Sequence, residues 1–233
     1  MTGIQCLELK QGSGTHLKEY LLGEHNLDLN IDCEHSWNGR PTCAPPAKDI
    51  SIEKQIKHPN HDRIRKIHDI AILKLSESVS LSNRAYINTI CLPIDMDSKA
   101  TYSQKKFLIT GWGFRENSKK ISNVLMKAVV PVQPLSKCKE IFDIKYTTET
   151  TSMCAGGESQ IDQCNGDSGG PLFCTGKVIK HGRYIQNGIM THSMRECDSR
   201  FVLSGSWYQG LVYNLAECDT GMTIVCNLSN LQA

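Results

Sequence analysis

The stretch CNGDSGGPL, residues 164–172, decides how this chain is read. Ser168 sits in it with glycines at 166, 169 and 170. Glycine lets a backbone turn sharply and come close to another molecule. A turn of that kind aims the N–H groups of Gly166 and Ser168 at one point, the arrangement of an oxyanion hole. A bare G-x-S-x-G is usually no more than a glycine-rich turn, but this motif is longer and has companions at fixed places along the chain. A serine hydroxyl is a poor nucleophile until a positioned neighbour takes its proton. The chemistry of Ser168 therefore hangs on whether the chain supplies a base.

The 233 residues suit one large all-β domain or two small ones and are enough to bury a core. A formal charge of +2 gives no reason to expect a nucleic acid or an anionic membrane as partner. No apolar run approaches the ~18 residues of a membrane span. Eleven cysteines are scattered along the chain without the paired C-x-x-C knuckles of a zinc site. That usage fits a disulfide-bearing secreted protein. The start, MTGIQCLELK, has no apolar signal-peptide core. Met1 is therefore expected not to be where the natural protein begins.

The apolar runs are short. DIAILKL (69–75) and KKFLITGWG (105–113) read as strands, the second closed by glycines. NVLMKAVVPV (123–132) reads as a strand whose Pro131 suits an edge or a bulge. KVIKHGRYIQNGIM (177–190) reads as two strands around His181 and Gly182, and PLSKCKEIF (134–142) as one short helix. Spacing and turns favour a sandwich or barrel over βαβ units.

The motifs DQCNGDSGGPL, HDIAILKL, ITGWG, TICLP and MCAGG, co-linear from about Thr2 to Cys197, resemble the trypsin/chymotrypsin-like serine proteases. LLGEHNLD (21–28) and the insert from Cys33 to CAPPAKDI (43–50) are most similar to the clip-domain subgroup, secreted proteases that activate proenzymes in cascades. The resemblance implies an all-β fold of two antiparallel barrels with the site in the cleft between them. The N-terminal barrel is expected to be incomplete, because the family's first strands precede the position of Met1. The protease domain is expected over 1–197. Residues 198–233 match neither the family's pocket strand nor its closing helix, and form a divergent tail of no assigned structure.

The resemblance also assigns roles. Ser168 is the nucleophile and Asp69 the residue that orients the base. Gly166 and Ser168 form the oxyanion hole. Asp167 receives the N-terminal amine created by activation cleavage. Asp162, six residues before Ser168, lies at the base of the specificity pocket and favours Arg or Lys in the substrate. His192 and Ser193 stand where many relatives have Trp-Gly, and a serine side chain there narrows the pocket. The base belongs in a T-A-A-H-C block, in the order His, Asp, Ser. Here that block reads T-G-I-Q-C, residues 2–6, so Cys6 matches and Gln5 occupies the base position. A glutamine amide does not take and return a proton near neutral pH. None of the eight histidines (16, 25, 35, 58, 61, 68, 181, 192) matches the base position.

Two readings follow. The chain is either a trypsin-like endopeptidase domain seen in incomplete form, inactive as given, or a non-catalytic homologue that acts as a binding or cofactor protein. Both imply protein partners, such as substrates or proenzymes of a proteolytic cascade, and neither implies nucleic acid or membrane. The family pattern pairs Cys33 with Cys43, Cys138 with Cys154 and Cys164 with Cys197. Cys91 matches a cysteine that tethers a pro-segment, Cys6 lacks its upstream mate, and Cys174, Cys218 and Cys226 are unassigned. Glu24, Asn26, Asp28, Asp32 and Glu34 crowd a loop that binds calcium in some relatives, although such loops are more often only solvated. No other cofactor or metal is implied.

Overall fold

The computed structural model describes residues 1–7, 19–35, 39–81, 86–93, 106–114, 120–148, 151–157, 167–175, 184–193, 201–205 and 225–227. At positions 5, 19, 35, 175, 192, 193, 201–205 and 225–227 it describes the backbone.

Six strands close the second half of the chain into a barrel. In chain order they are β7 (Lys106–Gly111), β8 (Met126–Gln133), β9 (Ser152–Gly156), β10 (Pro171–Thr175), β11 (Tyr184–Ser193) and β12 (Phe201–Gly205). The order round the barrel is β10-β11-β12-β9-β8-β7, every pairing antiparallel. Closure leaves no unpaired edge to aggregate. Side chains alternate between faces along a strand, so Phe107 and Ile109 of β7 both point inward. They meet Val130, Met153, Leu172, Ile185 and Met190 in one buried cluster.

Pro131 lies inside this barrel rather than at an edge. It faces Lys106 at the last β7 pairing, and from Val132 onward β8 pairs with β9 instead. The residue that lacks an N–H thus stands at a handover between partner strands. The helix expected over 134–142 is α2 (Leu135–Phe142), preceded by Pro134 and stopped by Asp143 in the left-handed conformation at φ 48°. It is tied to β9 by the Cys138–Cys154 disulfide. Closing a loop of about this size stabilises by about 3 kcal/mol in the chain-entropy account.

Phe201–Gly205 is β12, sits between β11 and β9, and faces Cys154 with Leu203. An apolar FVLSG run suffices to fill a barrel place, whether or not it carries a family motif. Further on, β13 (Val225–Asn227) pairs with β6 (Ile87–Thr89). Of the strands expected over 177–190, β11 takes the second, and residues 176–183 lie outside the described residues.

The first half is an open sheet. β1 (Glu19–Leu22), β4 (Lys48–Lys57) and β5 (Ala71–Leu75) lie in the order β1-β4-β5. The hairpin β2 (Cys33–His35) and β3 (Pro41–Cys43) is stapled by the Cys33–Cys43 disulfide. Cys164 and Cys197 lie outside the described residues. The fold is the trypsin-like one, with a closed second barrel and, among the described residues, an open first sheet. Cys91 joins the halves. Its N–H donates to the Tyr184 carbonyl at 3.1 Å, and its carbonyl accepts the Gln186 N–H at 2.9 Å. Among the described residues no helix is long and apolar enough to cross a membrane.

Core and surface positions of one barrel should respond differently. Phe107→Ala removes a ring that is 1% exposed and should lower the unfolding free energy by about 3–5 kcal/mol. Val129→Ala, at 43% exposure, should change it by less than about 1 kcal/mol. Urea unfolding monitored by tryptophan fluorescence distinguishes the two, and equal losses would contradict the burial pattern.

Candidate active site

Asp167, Ser168, Gly169 and Gly170 form a tight turn leading into β10. The Gly170 N–H donates to the Asp167 carbonyl at 3.0 Å. Two bonds fasten the turn to β11: Gly169 N–H to Met190 carbonyl at 2.7 Å, and Met190 N–H to Gly170 carbonyl at 2.9 Å. Gly169 has φ +84°, a region that strains any residue with a side chain. A Cβ there would also lie 2.5 Å from Thr2 Oγ1 and 2.7 Å from Cys6 Sγ. Ser168 itself is exposed.

The residue before it is anchored through its carboxyl. Asp167 Oδ1 accepts the Gly113 N–H at 2.8 Å. A Cβ on Gly111 would collide with Asp167 Oδ1, and one on Gly113 would come within 2.5 Å of Oδ2. The two glycines of GWG (111–113), read in the sequence only as strand terminators, thus make the space for this carboxyl. Burial pushes its pKa from 3.8 up to about 6, opposed by the Gly113 hydrogen bond.

The N-terminal segment closes the other side. Thr2 pairs with Ala71 of β5 by reciprocal backbone bonds of 3.0 and 2.8 Å. The short helix α1 (Ile4–Leu7) follows and carries the backbone of Gln5. Its Cys6 Sγ donates to the Ser168 carbonyl at 3.3 Å. Asp69, two residues before Ala71, is 6% exposed. Burial pushes the Cys6 thiol up and the charge of Asp69 adds to this, while hydrogen bonds from Thr2 and Gly3 act the other way. Ser168, Cys6, Thr2 and Asp69 therefore belong to one neighbourhood, with α1 running through it. Thr2 was not among the residues singled out in the sequence, and only its place in the T-G-I-Q-C block could have flagged it.

Asp162 and Gly166 lie outside the described residues. The backbones of His192 and Ser193 end β11, opposite Leu203 and Val202 of β12, just past an irregularity between Met190 and His192. In the acidic loop, Glu24 Oε1 accepts the His25 N–H, and Asp32 Oδ2 accepts those of His25 and Asn26. The Asn26 amide oxygen accepts the Asp28 N–H, and Asp28 Oδ2 accepts from Asn123 Nδ2. These oxygens close the loop on itself. Among the described residues no three His, Cys, Asp or Glu side chains gather to hold a metal ion.

The Trypsin family profile matches residues 35–204. The chain belongs to the trypsin family. Among curated relatives, this trypsin-family chain is 35% identical over 202 residues to Serine protease grass of Drosophila melanogaster, covering 84% of the chain and 51% of that protein. It is 31% identical over 202 residues to the Spaetzle-processing enzyme of the same species, covering 84% and 50%. It is 34% identical over 200 residues to CLIP domain-containing serine protease B9 of Anopheles gambiae, covering 84% and 47%. The solved structure of the Drosophila Grass clip serine protease of the Toll pathway superposes with a TM-score of 0.73 at 32% identity, covering 88% of this chain and 57% of that one. The chain spans about half the length of the curated relatives it matches.

The half-buried carboxyl of Asp167 sets a pH dependence. Asp167 binds its proton more tightly folded than unfolded, so its stabilisation is complete below pH 3.8 and is lost as pH rises through about 6. Asp167→Asn keeps the Oδ1 acceptor and removes the charge. It should gain about 3 kcal/mol at pH 7.5, roughly 6–12 °C in Tm, and nothing at pH 3.5. Calorimetry at the two pH values checks this. A loss at pH 7.5 would mean that the carboxylate is stabilised where it lies.

Proposed function

We propose that this chain is the trypsin-like endopeptidase domain of a clip-type cascade protein, and that Gln5 in place of the base leaves it without peptidase activity as given. The observation that carries this reading is the docking of residues 2–6. Thr2 is bonded to β5 just beyond Asp69, and Cys6 touches the Ser168 carbonyl. Between those two contacts the backbone carries Gln5, the residue that the T-G-I-Q-C block aligns with the base. In the scheme that the family chemistry supplies, Ser168 attacks a peptide carbonyl, and the N–H groups of Gly166 and Ser168 hold the oxyanion. Asp69 orients an imidazole that takes and returns the proton. Gln5 has no ring nitrogen to play that part. Asp167 is the acceptor for an activation amine, and its raised pKa is what a buried carboxyl shows before a cation meets it.

Asp162 directs the ancestral activity to Arg or Lys, with His192 and Ser193 along the pocket wall. The substrates are proteins of a secreted cascade; the name of one relative, the Spaetzle-processing enzyme, says that it processes Spaetzle. Gln5 equally favours a second reading, a homologue that keeps the protease shape to bind a cascade protein without cutting it.

A fluorophosphonate probe should leave the wild-type chain unlabelled, since loss of the base histidine lowers kcat by roughly 10⁶ in subtilisin. Gln5→His should gain labelling that Ser168→Ala abolishes. With peptide substrates differing only before the scissile bond, that variant should prefer Arg or Lys, and Asp162→Ser should erase the preference. Ser168-dependent labelling of the wild-type chain would overturn the assignment of Gln5.

A further inference from the structure

Three histidines that the proposed chemistry does not use lie together just ahead of Asp69 in the chain. The rings of His58 and His68 stack, with centroids 4.4 Å apart and planes 7° from parallel. His61 completes the group, its N–H bonded to the His58 carbonyl at 3.1 Å. His58 is 5% exposed. Its Nδ1 accepts the Asn60 N–H at 3.1 Å, so the ring is neutral with its proton on Nε2. His58 Nε2 and His61 Nδ1 are buried without a hydrogen-bond partner among the described residues. His68 is held at φ +55°, a region that histidine enters uncommonly. The next residue is Asp69, and beyond it the Ile70 N–H reaches back to the His68 carbonyl at 2.9 Å.

We infer that His58, His61 and His68 form an acid-sensitive latch, which holds the 58–68 loop and the backbone of Asp69 in place while the rings are neutral and releases them when the rings are protonated. A proton on His58 Nδ1 would face the Asn60 N–H, donor against donor. It would also put a positive charge directly under the His68 ring. Loss of the stack frees His68 to leave its left-handed conformation, and that rotation turns the peptide entering Asp69.

The surrounding charges do not offset this. Burial lowers the pKa of both His58 and His68; His68 and His61 lower that of His58 further, and His61 that of His68. The carboxylate facing His61 is that of Asp62, which is engaged by the Ile64 and Arg65 N–H groups and by the Arg65 side chain at 3.5 Å. Arg65 lies over the Tyr146 ring, and Lys66 Nζ donates to the Phe142 carbonyl at the end of α2, so the loop's cations bind the neighbouring segment. Lys57 ends β4 beside His58, and the charge of Asp69 acts on Cys6. Both folded pKa values lie below 6.5, so the latch is closed above pH 6.5 and opens as pH falls below it. The inference does not depend on Ser168 being catalytic, because its readout is the backbone.

Hydrogen exchange of the full chain at pH 7.5 and 5.5, corrected for intrinsic rates, tests it. A histidine that takes a proton only in the open form favours that form by about tenfold one unit below its ordinary pKa. Protection of residues 58–71 should fall by at least about tenfold on acidification, while Ile189 and Met190 in the barrel stay unchanged. His58→Asn keeps an acceptor for the Asn60 N–H, and His68→Asn suits a positive φ. Each should remove about tenfold of the pH effect. Equal protection at the two pH values would overturn the latch. So would an equal fall in the barrel, or an undiminished fall in both variants.

Discussion

The carboxyl of Asp167 fills a space that exists because residues 111 and 113 have no side chains. One hydrogen bond, from the Gly113 N–H at 2.8 Å, meets a group that burial pushes toward neutrality. The residue next to it is Ser168, so whatever fixes the carboxyl also fixes the turn that presents the serine. A side chain at either glycine would drive the carboxyl out and carry the turn with it. This is a constraint of volume and desolvation together, and both act through the backbone.

Three parts of the chain share the task of holding that turn. The GWG segment takes Asp167, Met190 of β11 takes Gly169 and Gly170, and Cys6 of α1 takes the Ser168 carbonyl. The third part reaches the site by way of Thr2, which is bonded to β5, the strand that follows Asp69. The open first sheet and the closed barrel thus meet at Ser168, and Cys91 stitches them again at Tyr184 and Gln186. Gln5 lies on a scaffold whose contacts run through backbone, a thiol and a hydroxyl, none of which requires residue 5 to be histidine.

Much of this was legible in the residues. Short apolar runs placed β5, β7 and β8, and PLSKCKEIF marked α2 to within one residue. The Cys33–Cys43 and Cys138–Cys154 bridges followed from the family resemblance and are formed. Other features were hidden for physical reasons. Phe201–Gly205 has no motif, and only closure of a six-stranded ring shows that an apolar run is needed there. Pro131 reads as an edge residue because local sequence cannot reveal that β8 changes partners at that point. The glycines of GWG read as strand ends because the carboxyl they accommodate comes from a residue more than fifty positions away. The histidine latch was invisible for the same reason. His58 and His68 meet only when the loop folds back, and each alone reads as a loop histidine.

The account rests most heavily on the state of the Asp167 carboxyl. Its titration, followed by carbon-13 NMR of carboxyl-labelled aspartate with Asp167→Asn to assign the resonance, reads that state directly. The expected midpoint is about 6, well above the ordinary 3.8, because desolvation outweighs the single Gly113 hydrogen bond. A midpoint at or below 3.8 would contradict it, and would mean that the carboxylate lies in solvent or against a cation rather than in the space between Gly111 and Gly113.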